Sequence, residues 1–419
     1  MRSKTIKKTQ KVVKDIINFF VPNSLDLDSK RFVFEDKKIV AIIPTYKPKD
    51  ITYRLVRDLV VFHNNVKVVV IDDHTPSTAL ASQKILKKIR GLRNKNVTII
   101  RTPDKKLKAA ALNFGIDYIA SSSLMPDAVI TFDDDVVILQ NTVYELIKIL
   151  FSNKKMGVVC SRAWASNKNK NLLTRLQGLE YHGFTITRIA DNGFLQGPLV
   201  MHGMLSAFRY DALMDVKGFA VDNLIEDYDI TVRIKNAGWQ AAMAPLALSW
   251  TEVPETLGDL WKQRIRWSYG GLIVVKDFWR KVTPVFQDLV GHAIFLSLFS
   301  LIVLSLIFTR HTPTPSWLVI SLLAIATLQF LLSFTFSIIA LLSYKDRDKV
   351  DWLLKLSLFP EFAYSNILST ILLGSYIFFA FNIFIHFAVK YMPLMLHLER
   401  TGKKSFQKIG YSVAWGTRN

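Results

Sequence analysis

The chain has one cysteine, Cys160, in 419 residues. No intramolecular disulfide and no cysteine-based metal site can form, which suits a reducing compartment. It lacks a G-x-G-x-x-G fingerprint, so a dinucleotide cofactor is disfavoured. No zinc-finger or RNP-type signature accompanies its basic residues, so nucleic acid is not an expected partner. No secretory leader is legible: residues 7–21 are basic and then apolar, but the apolar run is short and contains Asp15 and Asn18. In that stretch Val12, Val13, Ile16, Ile17 and Phe20 recur at helical spacing beside Lys7, Lys8, Lys11 and Lys14. That pattern fits an amphipathic helix on a membrane surface and fits equally a surface helix packed on a domain.

What the chain has in excess is positive charge and apolar residues. Lys and Arg number 54 against 34 Asp and Glu, a formal charge of +20, and half of the residues are hydrophobic. A balance this basic points to an anionic membrane surface or an anionic substrate. The apolar excess lies mostly after residue 289. Residues 289–309, 311–344 and 362–389 carry no charged side chain. Each exceeds the roughly 20 residues needed to span hydrocarbon, so three transmembrane segments are expected within 289–392. The charged linker 345–351 belongs on the cytosolic side, which puts 310–316 outside. A third crossing would then carry Lys390, Arg400, Lys403, Lys404 and Lys408 of the basic tail (393–419) outside, against the positive-inside rule. A re-entrant third segment, a tail that breaks the rule, and a different number of spans all remain open. Inside these segments the candidate proton-carrying groups are His292 and His386, with His311 at the edge of the second, so little favours a transporter without enzymatic activity.

Residues 37–250 read as an α/β unit. Short apolar runs at 39–43, 66–71, 97–100 and 128–132 alternate with helical stretches at 77–90 and 109–122. This predicts a parallel sheet with helices on both faces, and ligands beyond the carboxyl ends of the strands. The polar clusters sit at those ends. Asp133-Asp134-Asp135 follows the fourth run; carboxylates two residues apart on extended backbone point the same way, toward one hard cation such as Mg²⁺ or Mn²⁺. Asp72-Asp73 follows the second run and could accept from a ribose or base, while Tyr46, after Pro44 and Thr45, could stack on a base. Lys108 opens a helix where the dipole is already positive, a natural place for a diphosphate. Glu226-Asp227 opens another helix, either as a dipole cap or as a general base. In the amphipathic region 251–288, Gln263, Arg266 and Trp267 fall on one helical face and offer an amide, a cation and a stacking surface.

Taken in order, Pro44-Thr45-Tyr46, Asp72-Asp73, Lys108-Ala-Ala-Ala-Leu-Asn113, Asp133-x-Asp135, Glu226-Asp227-Tyr-Asp-Ile-Thr231 and Gln263-x-x-Arg266-Trp267 resemble the membrane-bound family 2 glycosyltransferases of the polysaccharide-synthase kind. Residues 250–267 are especially similar to the bacterial poly-N-acetylglucosamine synthases. One departure is Leu107, where the family more usually has glycine before the lysine. The resemblance implies a GT-A, Rossmann-like nucleotide-diphospho-sugar transferase domain followed by interface and transmembrane helices in a cell membrane, with the catalytic domain cytosolic. It implies that Pro44, Thr45, Tyr46, Asp72, Asp73, Lys108, Asp133, Gln263 and Arg266 contact UDP. Asp133 and Asp135 would hold Mg²⁺ or Mn²⁺, and Asp227 would be the catalytic base. Glu226 and Trp267 would meet the acceptor, either a growing β-linked polysaccharide or a lipid.

Overall fold

The computed structural model describes residues 33–122, 124–308, 315–391 and 396–411; the helical pattern of residues 7–21 lies outside these. Eight strands are present: β1 (Ile39–Thr45), β2 (Val66–Asp72), β3 (Val97–Arg101), β4 (Ala128–Phe132), β5 (Val137–Ile138), β6 (Met156–Ala165), β7 (Leu205–Arg209) and β8 (Gln240–Thr251). They form one sheet in the order β3-β2-β1-β4-β7-β6-β8-β5. Strands β3, β2, β1 and β4 are parallel, as their continuous Val and Ile runs predict. Alternate side chains of each strand go to opposite cores. Ile39, Ala41 and Ile43 pack under helices α1 (Asp50–Phe62) and α4 (Thr142–Leu150). Val40 and Ile42 face α3 (Lys108–Ser121). Helix α3 lies so close that a Cβ on Gly115 would stand 2.5 Å from the Ile71 side chain.

The sheet is not wholly parallel. Strand β7 runs antiparallel to both β4 and β6. Strands β6 and β8 were not legible as strands: β8 (Gln-Ala-Ala-Met-Ala-Pro…) is alanine-rich and contains a proline, and β6 is broken by Ser161 and Arg162. The remaining helices are α2 (Leu80–Arg90), α5 (Leu172–Ala190), α6 (Tyr210–Asp215), α7 (Glu226–Asn236), α8 (Leu257–Phe278), α9 (Val282–Phe308), α10 (Ser316–Ser343), α11 (Lys349–Ser357), α12 (Phe359–Tyr391) and α13 (Leu396–Lys408).

Within α9, α10 and α12, the segments Val285–Ser305, Ser316–Ser343 and Phe359–Tyr391 are long and apolar enough to cross a membrane. Helix α9 leaves the sheet domain where Tyr228 of α7 donates to Asp288, at 2.8 Å. Helix α10 comes back to it: His182 of α5 lies 2.9 Å from the Ala340 carbonyl, and its ring stacks on Tyr344 at 4.6 Å. The linker that follows is pinned by buried charge. Lys168 Nζ is 2.9 Å from Asp351 Oδ2 and donates to the Asp346 carbonyl, and Arg175 bridges Asp348 and Asp351 at 2.7 and 2.9 Å. Lys168 and Asp351 are both buried. Removing one partner of a buried pair strands the other charge. Asp351→Ala is therefore expected to destabilise the protein by about 3–5 kcal/mol, measured as unfolding in detergent, whereas the apolar pair Lys168→Met with Asp351→Leu restores most of the loss.

Candidate active site

The site forms at the carboxyl edge of the parallel strands, where β4 ends. Thr45, the last residue of β1, donates its hydroxyl to Asp134 Oδ2 at 2.6 Å. This ties the middle aspartate to the neighbouring strand. Its neighbour Asp133 is held through its own N–H, which donates to the Met204 carbonyl. Asp135 accepts a long bond from Thr251 at 3.4 Å.

Lys108, the first residue of α3, reaches across this edge. Its Nζ lies 2.5 Å from Asp133 Oδ1 and 3.0 Å from Glu226 Oε1, and donates to the Gly203 carbonyl at 3.0 Å. The same Gly203 gives its N–H to Asp227 Oδ2 at 2.8 Å. The backbone of one residue thus orients both the ammonium and the carboxylate. A Cβ here would stand 3.0 Å from Lys108 Nζ and 3.2 Å from Asp227 Oδ2, closer than ordinary packing allows. Glu226, Asp227 and Asp229 occupy the first turn of α7, where the helix dipole favours negative charge.

The electrostatics separate the two adjacent carboxyls. Burial pushes Asp227 up, the Glu226 charge adds to this, and Lys108, Arg266 and the Gly203 N–H oppose it, leaving it at about 6. For Glu226 burial also works upward, but the Lys108 and Arg266 charges outweigh it and hold the group below its usual range. Two neighbouring acids with environments that split them are a recurrent sign of a working acid–base pair. Lys108 stays charged: burial disfavours its ammonium, and Asp133 and Glu226 more than offset that.

The sequence-expected residues fall into two groups. Lys108, Asp133, Glu226 and Asp227 converge, and the Arg266 charge reaches both members of the acidic pair. Gln263 has a buried Oε1 with no hydrogen-bond partner. Trp267 is half-buried against Ile225 and Tyr228, with the Arg264 guanidinium 4.2 Å above its ring. The other group lies nearer the β2–β3 end. Asp72 is fully buried; it accepts from the Thr75 N–H at 2.9 Å and pairs with Arg101 at 3.3 Å. Asp73 accepts from the Thr102 hydroxyl and the Lys106 N–H, and burial pushes its carboxyl up. Their carboxylates organise the loop after β3 rather than the Lys108 cluster. Pro44 and Tyr46 border this group; Tyr46 is half-exposed, with Lys105 Nζ 4.1 Å from its ring centre.

Three contributors were not foreseen. Gly203 has no side chain to signal its role. His202 beside it bonds through Nε2 to the Ser161 carbonyl at 2.6 Å, and burial lowers it to about 3, so it is a neutral structural group. Arg264 sits inside the Gln263–Trp267 motif but faces away, bonding Glu180 at 2.6 Å and Tyr364 of α12 at 3.4 Å.

The carboxylates fit a divalent ion in part. Asp135 lies close enough that its charge raises Asp133, and two mutually repelling carboxylates invite a cation. No group of three or more Asp, Glu, His or Cys suited to a metal occurs among the described residues, so a substrate would have to complete the coordination.

The chain is similar to several known proteins. A poly-β-1,6-N-acetyl-D-glucosamine synthase of Staphylococcus aureus (strain MSSA476) is 28% identical over 249 residues, covering 59% of this chain and 58% of the relative. The Staphylococcus epidermidis protein of the same name is 32% identical over 177 residues, covering 42% of this chain and 41% of its own. The chain thus spans about half the length of the curated relatives it matches. A mannosyltransferase from Pyrobaculum calidifontis, solved with GDP-mannose and Mn²⁺, shares the fold with a TM-score of 0.53 at 17% identity, over 85% of this chain and 92% of that one. The description "Glycosyl transferase family group 2" matches residues 128–396, from β4 and the aspartate triplet to the start of α13, and the chain belongs to that family of glycosyltransferases.

Proposed function

We propose that the protein transfers a sugar, N-acetylglucosamine in the first instance, from its UDP derivative to a hydroxyl of a growing β-linked polysaccharide, on the cytosolic side of a cell membrane. The observation that carries this reading is the convergence of Lys108, Asp133, Glu226 and Asp227 at one strand edge, with Gly203 aiming two of them. The names of the staphylococcal relatives support the sugar and the polymer.

Ionised Asp227 takes the proton of the acceptor hydroxyl, whose oxygen forms a bond to the anomeric carbon. The bond from that carbon to the diphosphate oxygen breaks, and UDP leaves with the electron pair. A single displacement inverts the anomeric centre and yields a β-linkage. Lys108 and Arg266 balance charge on the diphosphate, and the lone Gln263 Oε1 accepts from a sugar hydroxyl. Asp133 and Asp135 would hold Mg²⁺ or Mn²⁺, which when bound neutralises charge on the leaving group. Asp72, Asp73 and the Tyr46 ring shape the uridine end through the loop they order.

A second reading, transfer of one sugar to a lipid, is favoured by one contact. Tyr228, next to the base, bonds to Asp288 at the foot of a membrane helix, so the acceptor hydroxyl can arrive from the bilayer. Sizing the product made by purified enzyme from a panel of UDP-sugars separates the two.

Asp227→Asn is expected to lower UDP release by about 10²–10⁴-fold with UDP binding retained; undiminished release would remove Asp227 as base. Because the base acts ionised, kcat/KM should fall as pH drops below about 6. Glu226→Gln deletes a like charge that raises Asp227, so the acid limb should move to lower pH. A limb that stays put would separate the two carboxyls. UDP with Mn²⁺ should raise the melting temperature of the protein, and Asp135→Asn should abolish the part that chelation with EDTA also removes.

A further inference from the structure

The basic tail posed a conflict: three crossings would place it on the wrong side. The packing of α12 and α13 resolves it. Helix α12 runs beside α8 in the same direction. Leu260 packs on Tyr364 and Leu368, Ile265 on Ile371, and Tyr269 on Phe378 at 4.8 Å, while Asn382 donates to the Tyr269 hydroxyl at 3.2 Å. Other side chains of α8 rest on the sheet domain throughout. Leu260 also touches Leu176, Arg264 bonds Glu180, and Val274 packs with Ile225 and Val232. A helix that follows α8 this far stays on the surface of that domain. Helix α12 has 33 residues, about 50 Å, against about 30 Å of hydrocarbon in a bilayer.

Helix α13 then doubles back. Phe406 lies 4.8 Å from Phe378 and 5.2 Å from Phe381. Tyr411 donates to the Ile371 carbonyl at 2.8 Å, and Trp261 of α8 donates to the Ile409 carbonyl at 2.9 Å. The chain is therefore back at α8 by residue 411. Were α12 upright in the bilayer, α13 would descend beside it and carry Arg400, Lys403 and Lys404 into hydrocarbon, where such charges are rare and costly. Lys403 pairs with Glu399. Arg400, Lys404 and Lys408 follow at i, i+4 and i+8 and form one exposed stripe.

We infer that α12 does not cross the membrane: α12 and α13 form a hairpin lying along the membrane face that bears the catalytic domain, and Arg400, Lys404 and Lys408 bind anionic lipid headgroups there. The membrane is crossed within the described residues by α9 and α10 alone, and both described ends of this region lie on one side. The inference stands on packing and charge and does not depend on which sugar is transferred.

Single cysteines test it, because Cys160, the sole native thiol, is fully buried. Lys404→Cys, with Gln407→Cys as a second tail probe, and Ser316→Cys at the start of α10 are treated with a membrane-impermeant maleimide in intact cells and in opened membranes. Ser316→Cys should label in intact cells, and both tail cysteines only after opening. Tail labelling in intact cells would overturn the hairpin, and Ser316 labelling only in opened membranes would overturn the two crossings. For the lipid contact, the full-length protein is reconstituted in phosphatidylcholine with or without phosphatidylglycerol and treated with trypsin. Cleavage at the tail should be several-fold slower with the anionic lipid, and the protection should disappear at high salt. Equal rates in both bilayers would overturn headgroup binding.

Discussion

A partly buried lysine shared among acids governs the candidate active-site edge. Burial disfavours the ionised forms of Asp133, Glu226 and Asp227, and the Lys108 charge opposes this at all three, taking Glu226 below its usual range. Without that cation the acidic first turn of α7 and the end of β4 would repel one another across the site. The Gly203 backbone keeps Lys108 and Asp227 in register, its carbonyl accepting from the one and its N–H donating to the other. The ammonium thereby ties together α3, β4, the approach to β7 and α7, elements distant in sequence and contributed by both halves of the sheet.

The domain is attached to its membrane helices by polar contacts as well as by apolar packing. Arg264 joins α8 to α5 and α12 through Glu180 and Tyr364. Tyr228 joins α7, the helix that carries Asp227, to α9, and Asp288 in turn faces His292, which bonds Tyr376 of α12. His292, a lone histidine when the sequence is considered alone, is part of a polar chain about two helical turns into the first span. These links run through the elements that carry Asp227 and Arg266, so the chemistry is built onto the membrane boundary.

Much of this was legible in the amino acids. The four parallel strands announced themselves through uninterrupted Val and Ile runs, and Asp133, Lys108 and the Glu226-Asp227 pair by their positions at element ends. The limits were physical. Strand β8 hides in an alanine-rich stretch whose strand character comes from its neighbours. Gly203 acts through backbone atoms, which a sequence does not show. The two faces of α8 carry interleaved functions, so Arg264 and Arg266, two residues apart, serve opposite sides. For α12, apolar content alone signals a span; only the return of α13 along it, fixed by Tyr411 and Trp261, shows another disposition.

The clamped feet of the α9–α10 pair have a mechanical consequence. Helix α10 has 28 residues, about 42 Å, longer than typical hydrocarbon is thick, a mismatch that tilt, a kink or local thickening of the bilayer would take up. Its end meets α5 at His182, the Lys168–Asp351 ion pair holds the segment that follows, and α9 begins bonded to the residue after Asp227. A change in bilayer thickness cannot be absorbed by sliding at either foot. In a bilayer, strain from such a change would fall on α5 and α7, the elements to which the two helices are fastened.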